Sequence, residues 1–493
     1  SMTAHLRNSF LFLLIISCSL ISLSQASTAA EKPERPNILF LFSDDQRADA
    51  VAAYDNPHIQ TPNLDQLVKA GFNFRNAYCM GSIHGAVCQP SRAMLNSGRS
   101  LYHVPMDLKG VITLPQLLKQ AGYETFGTGK WHNHRDSFQK SFTTGTAAFI
   151  GGMSNHLKVP VLDLKEGKFE NKRTGKKFSS ELFVDAAVDF LKQQPAEKPF
   201  YAYVAFTAPH DPRMPPETAM KVYENSSPPL PKNFMPQHPF NNGWLTGRDE
   251  ALTGWPRQPE IVREQLAEYY GMITHMDTQI GRILQTLKDK DLDKNTIVIF
   301  SSDHGLALGS HGLLGKQNLY EHSMKSPLIF KGPGIPMNKS SDALVYLYDI
   351  FPTVCELTQI QVPSGVEGSD LAPIWRGKSE RVRDTLFTTY EDLMRAVRDE
   401  RWKLIRYPQI NKTQLFDLKE DRHELKDLSE HPEQQERIKK MLAELKEWQK
   451  RTDDKQPLTS EHPKSQAIDL TGRKRKPDQH QPDWIVKKYF DSE

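Results

Sequence analysis

The chain has 493 residues, of which 38% are hydrophobic and 25% charged, and its formal net charge is +3. This length is sufficient for one large domain and a smaller one, with a substantial buried core. Because the charge is nearly balanced, it provides no electrostatic basis for a nucleic-acid partner, and we expect none.

The first thirty residues follow the pattern of a secretory signal peptide. They include an extra serine before the first methionine, a positively charged Arg7 and an apolar run at residues 10–23, followed by small residues. The run is too short to span a bilayer comfortably, so we expect a signal peptide at residues 1–30 and no stable membrane span. The protein is therefore predicted to be exported, either periplasmic or secreted. A retained anchor helix and a lipid anchor on Cys18 are the alternatives.

Cleavage of the signal peptide would leave Cys79, Cys88 and Cys355. Three cysteines do not make a disulfide framework, even in an exported protein. We expect one of them to take part in chemistry instead.

Apolar runs and helical patterns alternate along the first three hundred residues. Strands are predicted where the apolar run is continuous, at residues 38–42, 200–206 and 296–300. Helices are predicted where apolar residues recur at helical spacing, at about residues 61–68, 113–120, 180–193 and 264–289. This alternation predicts an α/β fold, in which helices cover both faces of a large, mostly parallel or mixed sheet.

The later part of the chain has a different pattern. Residues 209–259 are rich in proline and show no clear periodicity, so we interpret them as a wall or lid beside the functional site. After Trp375 come short strand-like runs at residues 386–389, 395–398, 402–405 and 414–417. A helix with an apolar stripe follows, formed by Ile438, Met441, Leu445 and Trp448.

These patterns predict two domains. The catalytic α/β domain is expected at residues 36–380, and a smaller C-terminal α+β subdomain at residues 381–493. The subdomain would be built on a short antiparallel sheet with one packed helix. The final stretch, including the basic run 473–476, is predicted to be a solvated tail.

A further short strand is expected at residues 125–126, and polar side chains follow this and the other three strands, at residues 43–45, 127–132, 207–210 and 301–305. In an open α/β sheet, ligands bind past the carboxyl ends of the strands, so these segments are expected at one edge. Taken alone, Asp44 and Asp45 could cap a helix or lie in a solvated turn as readily as they could bind a ligand. Together with Asp303, however, they would repel one another unless a cation neutralised them. Hard oxygen ligands favour Ca²⁺ or Mg²⁺ over zinc.

The same strand ends carry basic side chains, which would be unusual neighbours for a purely structural cation. They are Lys130, His132, His210 and His304, with Lys316 further along the chain. Such a set suits an anionic substrate.

Residues 88–99 are the most specific motif in the chain. They begin Cys-Gln-Pro-Ser-Arg and end in Gly-Arg, and they resemble the signature of the sulfatase family. Cys88 taken alone would be interpreted as a buried cysteine before a helix. The resemblance extends over nearly the whole mature chain, including residues 129–132 and 302–305. One departure is Asn96, where the signature more often has a large apolar residue, and it concerns helix packing rather than the reacting atoms.

The resemblance implies a modified residue and a metal ion. Cys88 would be oxidised to formylglycine (3-oxoalanine) by a maturation enzyme, a transient partner that recognises the Cys-x-Pro-Ser-Arg stretch. The cation, Ca²⁺ in preference to Mg²⁺, would be bound by Asp44, Asp45, Cys88, Asp303 and His304. Many sulfatases have asparagine in place of His304, although other members carry the same Asp-His pair. The sulfate pocket would be lined by Arg92, Lys130, His132, His210 and Lys316.

The implied chemistry explains why each residue type is needed. A hydrated aldehyde offers two hydroxyls on one carbon, and the metal lowers the pKa of one so that it attacks sulfur at neutral pH. Arg92, Lys130 and Lys316 would offset charge on the sulfate oxygens. His210, with Lys316, would protonate the leaving alcohol, and His132 would take the proton of the second hydroxyl as sulfate departs. Unmodified cysteine lacks that second hydroxyl.

The substrate expected from the resemblance is a sulfated carbohydrate, either a polysaccharide or a glycosaminoglycan fragment. His84 and Arg213 flank the pocket motifs in sequence and are candidates for contacts with the sugar. Two alternatives remain. One is a phosphodiesterase or phosphonate monoester hydrolase of the same superfamily. The other is a non-catalytic protein that binds sulfated glycans, which we would expect to have lost at least one of the pocket residues.

Overall fold

The computed structural model of the protein describes residues 35–195 and 197–491. The predicted signal peptide, including Cys18, lies outside the described residues. None of the described helices has both the length and the apolar character needed to cross a membrane.

The described strands are β1 (Asn37–Ser43), β2 (Phe72–Tyr78), β3 (Gly81–Ser82), β4 (Glu124–Lys130), β5 (Thr144–Phe149), β6 (Pro160–Lys165), β7 (Lys168–Thr174), β8 (Phe200–Ala205), β9 (Thr296–Ser302), β10 (Lys325–Ser326), β11 (Leu328–Lys331), β12 (Lys339–Tyr346), β13 (Leu386–Tyr390), β14 (Met394–Arg398), β15 (Trp402–Tyr407) and β16 (Lys412–Asp417). The described α-helices are α1 (Pro62–Ala70), α2 (Cys88–Ser97), α3 (Leu114–Gln120), α4 (Arg135–Ser141), α5 (Ser179–Gln193), α6 (Glu217–Met220), α7 (Pro259–Asp289), α8 (Glu321–Met324), α9 (Ile350–Thr358), α10 (Ala372–Trp375), α11 (Gln435–Thr452) and α12 (Asp483–Tyr489).

The larger sheet is mixed, as predicted. Across the described residues its strands run in the order β10-β2-β11-β9-β1-β8-β4-β5-β6-β7, with β12 paired to β2. The central strands β9, β1, β8 and β4 are parallel neighbours, with Leu39 opposite both Ala202 and Val298. Strands β11 and β6 pair antiparallel to their neighbours. The four strand ends that carry polar residues therefore lie side by side.

Strand β1 shows why the two faces of this sheet are both covered. Successive side chains of a strand point to opposite faces. Accordingly Phe40 and Phe42 belong to one hydrophobic cluster, together with residues of α2 and α3. Leu39 and Leu41 belong to another cluster, together with residues of α1, α5 and α7. The predicted arrangement of helices on both faces is thus confirmed, and it explains why the strand is apolar throughout.

The smaller sheet has the order β16-β15-β14-β13-β3. Its four C-terminal strands are antiparallel, as predicted, and Ile438, Met441, Leu445 and Trp448 of α11 are buried. Strand β3 comes from the first hundred residues and pairs in parallel with β13. The second sheet is therefore completed by a segment from the predicted catalytic domain, and the domain boundary at residue 380 stays a prediction.

Two expectations from the sequence need correction. The long helix α7 begins at Pro259, five residues before the predicted start, because a proline suits the first turn of a helix. The prediction of a solvated tail is wrong for the last residues. Helix α12 buries Ile485 and Tyr489 in the same cluster as α7, and Lys488 forms an ion pair with Glu268. Ile485 and Tyr489 are four residues apart, which places them on one face of the helix. Two apolar residues are too few to reveal a helical pattern in the sequence.

Candidate active site

The candidate site lies past the carboxyl ends of β9, β1, β8 and β4. Asp44 and Asp45 follow β1, Lys130 ends β4, and Asp303 follows β9. His210 lies five residues after β8, at the start of the proline-rich segment. The parallel pairing of these four strands brings residues that are far apart in the sequence to one place.

Cys88 is the first residue of α2 and is buried. Its Sγ lies 3.2 Å from His304 Nε2 and 3.6 Å from Asp45 Oδ1. The helix ends at Gly98, which has φ 68° and whose N–H donates to Met94 O at 2.8 Å. A left-handed residue at the C-terminal end of a helix is usually glycine, which explains why the motif has glycine at this position.

Asp44 is fully buried and only partly satisfied. Lys130 Nζ donates to its Oδ2 at 2.6 Å, whereas Oδ1 has no hydrogen-bond partner among the described residues. Burial raises the pKa of Asp44 well above its ordinary value, and Lys130 offsets only part of that effect. A buried carboxylate oxygen without a partner is costly, so this atom is suited to an additional positive ligand.

Asp303 is held in its ionised form. Its Oδ1 accepts the N–H groups of Asp45 and His304, each at 3.0 Å, and its Oδ2 accepts from Arg92 Nη2 at 3.1 Å. Burial alone would raise its pKa, but His304, Arg92 and Lys130 hold that pKa well below its usual range. Arg92 also donates to the carbonyl oxygen of Lys130 at 2.9 Å, which ties α2 to the end of β4.

The donor set fits a bound cation. Asp44, Asp45, Cys88 and His304 each present one potential ligand atom, and these atoms all lie within 4.8 Å of one another. His304 Nδ1 donates to Gly305 O at 2.8 Å, which directs the lone pair of Nε2 toward the cluster. Asp303, the fifth predicted ligand, lies beside this group, with Oδ1 3.5 Å from His304 Nε2.

Lys316 contacts the side chain of Asp45. Its Nζ donates to both carboxylate oxygens of Asp45, at 3.0 and 2.9 Å, and lies 3.1 Å from His210 Nε2. Burial alone would lower the pKa of Lys316, but Asp45 and other acidic neighbours raise it well above its ordinary value. The ammonium group is thus fixed as a cation.

His210 is a neutral imidazole at neutral pH. Burial lowers its pKa to about 4, although Asp45 acts in the opposite direction. Nδ1 lies 2.7 Å from Asp211 O, a carbonyl that can only accept, so we assign the proton to Nδ1. The Nε2 lone pair then accepts from Lys316 Nζ. His210 and Lys316 therefore form a connected donor–acceptor pair beside Asp45.

His132 lies two residues after β4. Burial and the nearby Lys130 lower the pKa of His132 well below its ordinary value, so the ring is neutral. Its buried Nδ1 has no hydrogen-bond partner among the described residues. Gly152 leaves room for the ring, because a Cβ at that position would lie 2.6 Å from His132 Nε2.

The two predicted sugar contacts lie outside the cluster around Cys88. Arg213 is buried and donates to Gln265 Oε1 of α7 at 3.0 Å, while its Nε has no partner among the described residues. His84 is half-buried in the loop between β3 and α2, where its Nδ1 accepts from Ala86 N. Their contact with a sugar stays a prediction.

Three charged residues near His210 and Lys316 were not predicted from the sequence. These are Asp211, Arg248 and Asp249, which lie within the proline-rich segment. Asp211 forms a second potential ligand group with Asp45 and His210, but Arg248 and Lys316 already neutralise its carboxylates. The only signal available was that Asp211 directly follows His210, because the segment lacks periodicity.

The chain matches two family models. The model described as Sulfatase matches residues 36–360, about two thirds of the chain. A second, described as N-sulphoglucosamine sulphohydrolase, C-terminal, matches residues 309–451.

Curated relatives match over most of their length. An N-acetylglucosamine-6-O-sulfatase from Bacteroides thetaiotaomicron is 26% identical over 89% of this chain and 91% of that protein. An N-acetylgalactosamine-6-sulfatase from Canis lupus familiaris is 30% identical over 74% of this chain and 71% of that protein. A solved structure of a protein in complex with its substrate D-glucosamine-2-N,6-O-disulfate superposes with a TM-score of 0.74. It is 24% identical and covers 87% of this chain and 100% of that chain, which shows a shared fold.

Proposed function

Because the chain belongs to the sulfatase family, we propose that this sulfuric ester hydrolase uses a formylglycine made from Cys88 and one bound cation, Ca²⁺ in preference to Mg²⁺. The observation that carries the proposal is the convergence on Cys88 of carboxylates, His304 and three basic side chains, delivered by separate strands and by α2.

The environment of Cys88 supports modification rather than direct use of the thiol. Burial and the neighbouring Asp44 raise the pKa of the Cys88 thiol well above its ordinary value. The thiolate, not the thiol, is the nucleophilic form of cysteine, so the unmodified side chain is poorly suited to attack. A hydrated formylglycine at this position supplies a hydroxyl nucleophile and a second hydroxyl for product release.

The cation would be held by Asp44, Asp45, His304 and the modified residue 88, with Asp303 beside them. Such an ion would give the carboxylate oxygens a further positive ligand and would lower the pKa of a coordinated hydroxyl. Two features support this assignment. Asp44 Oδ1 has no hydrogen-bond partner among the described residues, and His304 Nε2 faces the cluster. Predominantly hard oxygen donors support Ca²⁺ or Mg²⁺ over zinc.

The basic side chains are proposed to bind and orient the sulfate group. Arg92, Lys130 and Lys316 are buried and remain charged, so they can offset negative charge on sulfate oxygens without reorganising. His210 and Lys316 are in contact at 3.1 Å, and this pair is proposed to deliver the proton to the leaving alcohol. His132, which is neutral, is proposed as the base for the release of sulfate.

The proposed substrate is an O-sulfate on a sugar, within a sulfated polysaccharide or glycosaminoglycan fragment. The relatives described above, which are named for 6-sulfated N-acetylhexosamines, support this class. Export of the enzyme, proposed from the N-terminal sequence, would bring it to such polymers.

The proposal is tested by incubating the protein with a panel of sulfated mono- and disaccharides and measuring free sulfate. The protein should be produced in a host that makes formylglycine. We expect release from at least one sugar and none from the Cys88→Ala variant. Turnover of aryl phosphate or phosphonate esters in preference to aryl sulfate would favour the phosphoryl-transfer alternative. Tight binding of sulfated glycans without any turnover would favour a non-catalytic binding protein.

A further inference from the structure

Arg248 lies at the centre of a charged network next to His210 and Lys316. Its Nη1 donates to Asp211 Oδ1 at 2.7 Å and to Asp249 Oδ1 at 2.9 Å. Its Nη2 donates to Asp211 Oδ2, and both Nε and Nη2 donate to Asp478 Oδ2. A guanidinium has five N–H groups, and these five contacts engage all of them. Arg248 is thus saturated by three carboxylates and is not free to bind a substrate anion.

Two of the three aspartates also contact the proposed proton-delivery pair. Asp211 contributes its backbone oxygen, 2.7 Å from His210 Nδ1, and its Oδ1 lies 3.3 Å from the same nitrogen. Asp249 Oδ2 lies 3.7 Å from Lys316 Nζ. Arg248 therefore fixes, through one carboxylate each, the residues that contact His210 and Lys316.

The third carboxylate belongs to the end of the chain. Asp478 and Gln481 both lie in the segment before α12, and Gln481 Nε2 donates to Asp211 Oδ2 at 3.0 Å. Helix α12 anchors this segment to the body, because Ile485 and Tyr489 are buried and Tyr489 donates to Glu268 at 2.8 Å. A segment more than 200 residues away in sequence from Arg248 is thereby held against Arg248 and Asp211.

We infer that Arg248 is a positioning residue for proton delivery to the leaving group, and that Asp478 and Gln481 of the C-terminal segment complete it. This inference rests on the proposed function. Without Asp478, two of the five N–H groups of Arg248 lose their partner, and the guanidinium is free to rotate away from Asp211. The backbone oxygen of Asp211, which accepts from His210 Nδ1 and fixes the tautomer and direction of the ring, is then less rigidly held.

The test is the Asp478→Asn variant, which keeps the size of the side chain and removes its charge. Its kcat should be compared on a sulfated sugar that the wild type hydrolyses and on an activated aryl sulfate. The aryl group leaves without a proton, so its turnover should change less than about 2-fold, since general acid catalysis is not needed there. Sugar-sulfate kcat should fall roughly 10-fold, less than the ~100-fold or more expected for loss of a whole general acid.

The matched control is Asp469→Asn, an exposed aspartate in the same C-terminal region whose side chain accepts from Thr471 N. It should leave kcat on both substrates unchanged. Arg248→Lys provides a second variant, since a lysine cannot engage three carboxylates, and it should reproduce the selective loss on sugar sulfate.

A double mutant separates positioning from general loosening of the fold. If Asp478 acts through His210, then Asp478→Asn should have no further effect on the residual sugar-sulfate turnover of His210→Ala. The inference is overturned if Asp478→Asn leaves the sugar-sulfate kcat unchanged, lowers both substrates equally, or adds its full effect to His210→Ala. Failure of the proposed function would be seen separately, because the wild type would then release no sulfate at all.

Discussion

The charged side chains around Cys88 form pairs of opposite charge. Three ion pairs join the buried groups: Lys130 with Asp44, Lys316 with Asp45 and Arg92 with Asp303. The three carboxylates and three basic side chains therefore cancel before any ligand is bound. A divalent cation would give the site a net charge of about +2, which attracts a singly charged sulfate ester and stabilises the charge that develops on its oxygens.

The first prediction at this scale concerns Cys88. Cys88→Ala should abolish sulfate release while leaving the melting temperature close to that of the wild type, because the variant loses one small side chain. Cys88→Ser should also be nearly inactive in a host whose maturation enzyme accepts only cysteine. Free sulfate and thermal unfolding measure the two effects, and more than trace activity in Cys88→Ala would show that another group is the nucleophile.

The second prediction concerns His210. His210→Ala should reduce turnover of a sulfated sugar by roughly 10²–10⁴-fold, the range for general acid catalysis, and should affect an activated aryl sulfate far less. His134→Ala is a suitable control, because His134 is an exposed histidine near the end of β4. Equal losses on both substrates would indicate that His210 acts on the sulfate group, the role proposed for His132.

At the scale of elements, β3 is one of the segments that join the first half of the chain to the second sheet. This two-residue strand pairs with β13 and lies just before the loop that leads to Cys88 and α2. Gly81 has φ 110°, and a Cβ there would lie 1.8 Å from the carbonyl oxygen of Thr389. The backbones approach too closely for any side chain, so the position of Cys88 is coupled to the second sheet.

We therefore predict that Gly81→Ala destabilises the protein by roughly 3 kcal/mol or more, through steric clash added to backbone strain. Gly122→Ala is the matched control. Gly122 also has a positive φ of 95°, but a Cβ there would meet nothing within 4 Å, so only the strain of about 1–2 kcal/mol should appear. Chemical denaturation measures both values, and similar losses for the two variants would contradict the close packing of β3 on β13.

The central strands, the longer helices and the four C-terminal strands were predicted from the sequence, whereas about half of the described elements, including β5, β6, β7 and β12, were not. The buried strands were recognisable because both faces of the sheet are covered, which leaves an uninterrupted apolar run such as residues 38–42. Helix α12 could not be recognised, since it buries only Ile485 and Tyr489 and their burial depends on the distant helix α7. Strand β3 has two residues and no pattern at all. Tertiary contacts, not local sequence, determine such short elements.

The same distinction applies to the site. The aspartates, Cys88 and the basic residues stood at strand ends or in a specific motif, so their convergence was predictable. Arg248 and Asp478 were not, because their function depends on a contact between a proline-rich segment and the end of the chain.

At the scale of the whole molecule, the site is assembled from segments between Asp44 and Gln481. A cation bound at its centre would link several of these segments, and a ligand that binds only the folded state stabilises it. At a free concentration of one hundred times its dissociation constant, the gain is about 2.7 kcal/mol.

We predict that removal of divalent cations by a chelator lowers both activity and the melting temperature, and that Ca²⁺ restores both. Calorimetry with and without chelator, together with metal analysis of the active enzyme, checks this expectation. Stoichiometric zinc, or full activity without any bound metal, would contradict the proposed hard cation.

The mass of the peptide that contains residue 88, measured on enzyme of known specific activity, tests most directly whether formylglycine is required for sulfate release. We expect formylglycine in place of cysteine, with sulfate release in proportion to the modified fraction across preparations from hosts with and without the maturation enzyme. Active enzyme in which residue 88 is entirely unmodified cysteine would contradict this expectation.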